Sequence, residues 1–356
     1  MSGRALLLIV ASLQTLFVLL LLAFLLVRRA QNLKFQSALE LARSGLPGPL
    51  RAWLVDGGEP ETVLRELRRV PKGAAVGFLA LLAKHTIAAA DAARLRSRLV
   101  NELWVRRALG GWASRFWWRR LEAARAFALM AGPDDRDQVL ALLDDAHPAV
   151  QISACAALPR VLDDVAIARI LDRMDAMPKV VRQGVTLVLH PFAHVVGPAL
   201  AQRIATGTRR HEVATWIEFA ENLNHIGALQ ASLGRAQEEF VPIRRACAKA
   251  LRRLPFPESE AALIALLGDR DVSVRAAAAR TLGLMESRTA LPALTAALSD
   301  PVWLVRVRAA VALAQAGEPG RAALRVARNG PDRYARDMAF MVANLSDGAL
   351  LDIGEA

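Results

Sequence analysis

The sequence predicts an all-α fold, an α-solenoid of stacked helical hairpins with one N-terminal transmembrane helix. Three observations predict it. The composition is rich in Ala, Leu and Arg and only 5% aromatic, which favours helix over strand. An apolar run, Ala5 to Val27, occupies the amino-terminal end. Through most of the remaining chain, apolar and charged residues recur at a fixed interval, the mark of a repeat architecture.

The chain has 356 residues, 54% of them hydrophobic, enough apolar surface for one extended or two compact domains. A formal net charge of +12, carried mostly by Arg, suits an acidic partner: anionic lipid, nucleic acid or acidic protein. Cys155 and Cys247 lie far apart among alanines, a setting for buried small residues rather than a disulfide framework.

A short tail, 1–4, precedes the predicted transmembrane helix 5–27, in which only Ser12, Gln14 and Thr15 are polar. As a helix this run is about 35 Å long, sufficient to cross a bilayer. A cleaved signal peptide has a shorter apolar core followed by a small-residue cleavage site. Here Arg28 and Arg29 follow directly, so an uncleaved anchor is expected. Arg28, Arg29, Lys34 and Arg43 outnumber the α-amino group and Arg4, which places the soluble domain on the cytoplasmic side.

Residues 28–113 form a basic juxtamembrane and divergent helical region. Gly45, Pro47, Gly48, Gly57, Gly58, Pro71 and Gly73 punctuate it. Two helices are expected between Arg51 and Lys84. A longer one is expected from Ala88 to Leu109, stopped by Gly110 and Gly111.

The repeat domain, 114–345, carries the strongest signal. The segment Asp269 to Leu282 is echoed by Asp300 to Leu313, an offset of 31 residues. Stepping back by that offset from Leu313 meets Leu282, Leu251, Ala220, Leu189, Leu158 and Phe127, apolar at every step. A second ladder runs Arg306, Arg275, Arg244, Val213, Arg182, Gln151 and Arg120, so Val213 marks a degenerate copy. A hairpin cannot bury both of its faces alone, whereas stacked copies share one apolar seam. Small residues at Ala124, Ala154, Cys247, Ala278 and Ala309 let helices approach closely. Residues 346–356 are read as a mildly acidic tail.

These residues resemble the HEAT repeat family, in the short form seen in bilin-lyase-type proteins, over roughly Ser114 to Leu345. In that family an acidic residue closes the turn and an Arg six positions on tops the second helix. Asp269 with Arg275, Asp300 with Arg306, and Glu238 with Arg244 match, while Asp145 faces Gln151. Pro292 sits where the family often bends its first helix. An acid there can cap the second helix, and the Arg can bridge adjacent turns. The architecture also resembles bacterial single-pass, membrane-anchored HEAT proteins, which implies an inner-membrane location.

Between Arg94 and Arg125 positive charge is densest, and Trp104, Trp112, Trp117 and Trp118 interleave with it. Trp beside Arg fits a membrane interface, anionic lipid or a peptide hot spot. It also fits tryptophans closing a core with arginines solvating its outside. The candidate interaction surface comprises Trp104, Arg106, Arg107, Trp112, Arg115, Trp117, Trp118, Arg119, Arg280, Trp303 and Arg308. No sequence-reading motif for nucleic acid is present, so no specific nucleic acid is expected.

No catalytic, cofactor-binding or metal site is assigned. His190 and His194 are four apart, but Pro191 intervenes and no acidic third ligand is near in sequence. A HEAT-fold hydroxylase family holds a di-iron centre with several His-Glu pairs, and only His211-Glu212 is such a pair here. Phosphate-cradle, nucleophile-elbow and Cys-x-x-Cys motifs are missing. The expected function is a membrane-tethered scaffold for a protein partner, not an enzyme. The resemblance leaves two alternatives: an accessory subunit of a membrane-bound cell-envelope or exopolysaccharide synthesis system, and a HEAT-fold lyase or metal-dependent enzyme.

Overall fold

The computed structural model describes residues 13–23, 47–54, 60–84, 89–254 and 256–343, with isolated positions between 25 and 44 and between 345 and 350. All regular structure among the described residues is helical. The chain forms two compact units, Met1–Leu162 and Asp163–Ala356.

In the first unit the helices are α1 (Pro47–Leu54), α2 (Pro60–Arg69), α3 (Lys72–Lys84), α4 (Ala89–Leu99), α5 (Leu103–Leu109), α6 (Trp117–Met130), α7 (Arg136–Leu143) and α8 (Pro148–Cys155). Two sequence expectations change here. The segment before Lys84 holds the end of α1 as well as α2, which opens at Pro60, and α3, which Pro71 separates from α2. The single helix expected from Ala88 to Leu109 divides into α4 and α5. The backbone turns at Val100–Glu102, where Arg106 Nε donates to the Val100 carbonyl and Arg68 grips the Glu102 carboxylate. A core of Leu67, Phe78, Leu79, Leu95, Leu99 and Leu129 ties α2, α3, α4 and α6 together. At the small contact of Val76, Ala108 and Ala126, α3 meets α5 and α6.

The second unit alternates two rows. First helices are α9 (Asp164–Arg173), α11 (Ala193–Thr206), α13 (Ile226–Leu233), α15 (Pro257–Leu266), α17 (Leu291–Ala296) and α19 (Glu318–Arg328). Second helices are α10 (Lys179–Leu189), α12 (Arg210–Leu223), α14 (Val241–Ala250), α16 (Val272–Leu284), α18 (Trp303–Gln315) and α20 (Arg333–Ala343). First helices pack on first, as α11 on α13, and second on second, as α12 on α14, α14 on α16 and α16 on α18. This is the hairpin stacking of a solenoid. Pro257, Pro292 and Pro319 stand in the first turns of α15, α17 and α19, where a missing N–H costs no hydrogen bond.

The apolar ladder is the interior. Phe127 and Leu158 in the first unit are 3% and 0% exposed, and Leu189, Ala220, Leu251, Leu282 and Leu313 in the second are all 0% exposed. At Gly283 a Cβ would lie 2.7 Å from Ala312 Cα, so α16 and α18 meet backbone to backbone.

Of the predicted transmembrane helix, Leu13–Ala23 is described. It is helical and apolar, with Leu16, Phe17 and Leu20 more than half exposed. The tail 1–4, the rest of 5–27 except Leu25 and Leu26, and Arg28, Lys34 and Arg43 lie outside the described residues. So does most of 346–356. By length and composition, one continuous stretch among the described residues is apolar enough to cross a membrane: the 28 residues Lys179–Thr206. It is internal, not amino-terminal, and comprises α10, a 3-10 turn at His190–Phe192 and α11. Val181, Val185, Leu189, Val196, Leu200 and Ile204 are buried in the second unit, whereas Val180, Leu187 and Val195 are exposed.

Candidate functional site

The arginine ladder is built from guanidiniums that reach forward. Arg244 Nε and Nη2 donate to Asp269 Oδ2 and Oδ1 at 2.6 and 2.8 Å. Arg275 repeats this on Asp300 at 2.7 and 3.0 Å, and Arg120 does so on Asp145 with Nη2 at 2.9 Å. Each pair is separated by 25 residues. The third nitrogen, Nη1, turns back to the carbonyl six residues earlier: Arg244 to Glu238, Arg275 to Asp269 and Arg120 to Ser114, all at 2.9 Å. The receiving carboxylate also accepts the backbone N–H two residues on, at 2.8 Å from His147, Asp271 and Val302. One acid therefore closes the turn into a second helix and holds the Arg of the preceding copy.

Burial by itself would raise these carboxyls. The Arg hydrogen bond, the backbone N–H and the nearby positive charge together outweigh it, and Asp145, Asp269 and Asp300 all sit below the ordinary carboxylate value. Arg244 and Asp269 side chains are only 5% and 8% exposed. Paired and largely buried, these three rungs hold helices in place.

Sequence reading set Asp269 beside Arg275, and the two do touch, but through the Asp269 carbonyl. The Arg275 side chain's ionic partner is Asp300. Where Val213 replaces Arg, Glu238 instead pairs with Arg235 at 3.1 Å, and Arg235 also donates to the carbonyls of Ile204, Ala205 and Gly207 at the end of α11. Arg306 keeps its bond to the Asp300 carbonyl at 2.8 Å. Its guanidinium lies 4.4 Å from the Tyr334 ring centre, and its buried Nε has no hydrogen-bond partner.

The four tryptophans of the basic stretch divide. Trp104 packs partly buried against the core of the first unit, and Trp117 stacks flat on His147 at 4.0 Å. Trp118 and Trp112 face outward, 53% and 36% exposed. Trp118 stacks on Phe116 at 4.6 Å, and Phe116 also carries the guanidinium of Arg115 at 4.6 Å and that of Arg119 at 5.9 Å. Arg106 and Arg107 are exposed on α5, and Arg107 and Arg119 line one open depression with Gly110, Gly111, Ser114 and Glu122.

The remaining candidates lie in the second unit. Trp303, at the start of α18, is 57% exposed. Arg308 and Arg280 stand near each other on α18 and α16; Arg308 is pushed below the usual guanidinium value first by burial and then by the charge of Arg280. Lys249, Arg252 and Arg253 gather around Glu221 of α12. Burial pushes the Glu221 carboxyl up, and those three cations pull it back only in part. Sequence reasoning missed this group, although Glu218, Lys249 and Arg280 occupy one phase of the same 31-residue period. It also missed a groove of about 400 Å³ between α10 and α12, where Met174, Leu187 and Phe219 line the wall together with Gln183, Thr215 and Asn222.

Among the described residues no three His, Cys, Asp or Glu side chains converge as metal ligands. His190 and His194 are exposed. His211 meets the Phe240 ring edge-on at 4.8 Å, and Glu212 accepts from Arg209 at 2.7 Å.

A family model for HEAT repeats matches residues 229–314 and, overlapping it, residues 261–343. Residues 229–343 are HEAT repeats. Over 69 residues the chain is 46% identical to phycocyanobilin lyase subunit alpha of Synechococcus elongatus, an alignment covering 19% of this chain and a quarter, 25%, of that protein. Among solved structures, human deoxyhypusine hydroxylase in complex with glycerol is similar at 19% identity, covering 73% of this chain and 98% of that one with a TM-score of 0.28. An engineered protein is similar at 16% identity, covering 90% and 97% with a TM-score of 0.34.

Proposed function

We propose that this chain is a membrane-tethered HEAT-repeat scaffold that holds an acidic protein partner on its second unit and performs no chemistry of its own. The observation that carries the reading is the crowding of cations on neighbouring second helices. Arg280 and Arg308 stand close enough for one charge to disfavour the other, and Lys249 is exposed on α14. Like charges brought together cost stability, and an acidic surface laid across them recovers it. Trp303, exposed at the head of α18, supplies the aromatic anchor such interfaces favour.

Tethering is supported by the exposed apolar helix Leu13–Ala23 and by the uncharged run that contains it. The arginines next to that run favour a cytoplasmic second unit at a bacterial inner membrane. A photo-crosslinking residue at Trp303 in the full-length chain, followed by identification of captured neighbours, tests the docking reading. Capture lost on reversing Lys249, Arg280 and Arg308 to Glu supports it. Capture unchanged by those reversals eliminates it.

The local likeness to a bilin lyase subunit favours one other reading, a lyase or lyase partner. It predicts a visible absorption band when purified protein is mixed with a bilin, and an unchanged bilin spectrum rejects it.

A further inference from the structure

We infer that the segment from Leu103 to Arg119 rests on the anionic headgroup surface of a bilayer. This deepens the tethering reading and relies on it only for the presence of a membrane.

On α5, Val105 and Ala108 are buried, whereas Leu103, Arg106 and Arg107 point away from the core, with Leu103 71% exposed. The following 3-10 turn, Gly110–Ala113, presses onto the backbone of α6: a Cβ at Gly111 would lie 2.9 Å from the Arg119 carbonyl oxygen. That contact brings the turn against α6, and Arg107 and Arg119 share the walls of one depression. Around the same turn, Phe116 stacks with Trp118 and carries the guanidinium of Arg115. Leu103, Trp112 and Trp118 are thus exposed within one short segment together with the exposed Arg106, Arg107, Arg115 and Arg119.

The arginine next in sequence shows what a structural role looks like here. Arg120 turns inward to Asp145 and the Ser114 carbonyl. Arg115 and Arg119 instead lie over an aromatic ring, a contact that leaves guanidinium N–H groups for an oxyanion. Phosphate oxygens fit that fork geometry, and half-exposed indoles settle at headgroup depth. Exposed indoles and arginines side by side suit an interface that is itself part oily and part ionic.

The test uses full-length protein in vesicles of phosphatidylcholine alone or mixed with phosphatidylglycerol. Native cysteines are replaced by C155A and C247A, and a spin label is placed by L103C or, in the second unit, by V326C. Alkaline carbonate extraction reports the anchor. Relative collision with oxygen and with a water-soluble nickel chelate reports depth. The inference expects the Leu103 site to be immersed in phosphatidylglycerol vesicles and the Val326 site to remain in water. The quadruple variant R106E/R107E/R115E/R119E should lower the immersed-to-exposed ratio at least about tenfold, a floor for losing four headgroup contacts. A watery Leu103 label on a carbonate-resistant chain overturns the inference and leaves the anchor standing. Immersion unaffected by the four reversals, or a label immobilised only when membrane-extract protein is added, also overturns it. Phosphatidylglycerol-dependent flotation that carbonate strips and the reversals abolish supports the inference while sinking the anchor.

Discussion

Within the second unit, residues 229–343 and residues 163–228 build the same hairpins by different means. The first stretch matches the HEAT model and carries the Arg244–Asp269 and Arg275–Asp300 rungs. The second matches no part of it and lacks the rung: Arg182 has Gly207 at the position its acid would hold, and Val213 replaces the arginine altogether. Leu189 and Ala220 are nonetheless as fully buried as Leu251 and Leu282. Apolar stacking thus sets the fold in both, and the rung is an addition to it.

The sharpest test of that difference is Asp269→Ala, which strands Arg244 at 5% exposure. It should lower unfolding free energy by about 3–5 kcal/mol, read from urea melts. Pairing it with Arg244→Met should recover part of that loss; no recovery would mean that the carbonyl bonds of Arg244, not its charge, matter most.

Leu189→Ala and Leu282→Ala should each cost about 2–5 kcal/mol despite lying on opposite sides of the comparison. A small effect confined to Leu189 would break the claim that both stretches share one kind of core.

Acid should separate the stretches. Asp145, Asp269 and Asp300 are held below the ordinary carboxylate value. The stability they add is therefore complete above the unfolded value, about pH 4, and is lost as pH falls through their lower folded values. Hydrogen exchange, corrected for intrinsic rates, should show α14 to α18 opening more on going from neutral pH to about pH 3 than α10 and α11 do. Asp300→Asn should flatten that response.

The smallest effect belongs to Arg106, Arg107, Arg115 and Arg119, each of which should shift unfolding by less than about 0.5 kcal/mol when replaced by Ala. The native thiols offer a local readout. Burial pushes both Cys155 and Cys247 up to about 12, so each resists alkylation until its own unit opens. Asp269→Ala should accelerate labelling of Cys247 and leave Cys155 unchanged.

Much of this was legible in the residues. A period of 31 located every buried ladder leucine, because a residue recurring at one phase of stacked hairpins must meet the same surroundings. The direction of the rungs was not legible for an arithmetical reason. Separations of 6 and 25 sum to the period, so a regular sequence pairs Arg275 equally well with Asp269 or Asp300, and only side-chain reach decides. The split of the tryptophans was hidden too, since Trp117 and Trp118 are neighbours and only the placement of His147 turns one inward. The break at Val100–Glu102 depends on Arg68, a partner 34 residues away that local propensity does not see.

Because each guanidinium crosses from one hairpin to the next, the seam between copies, not the copy itself, is the natural piece of this protein. Anyone trimming the chain should cut beyond an acid: a fragment ending at Ser299 would orphan Arg275, whereas one carried through Val302 keeps both its clasp and the N–H that orients it.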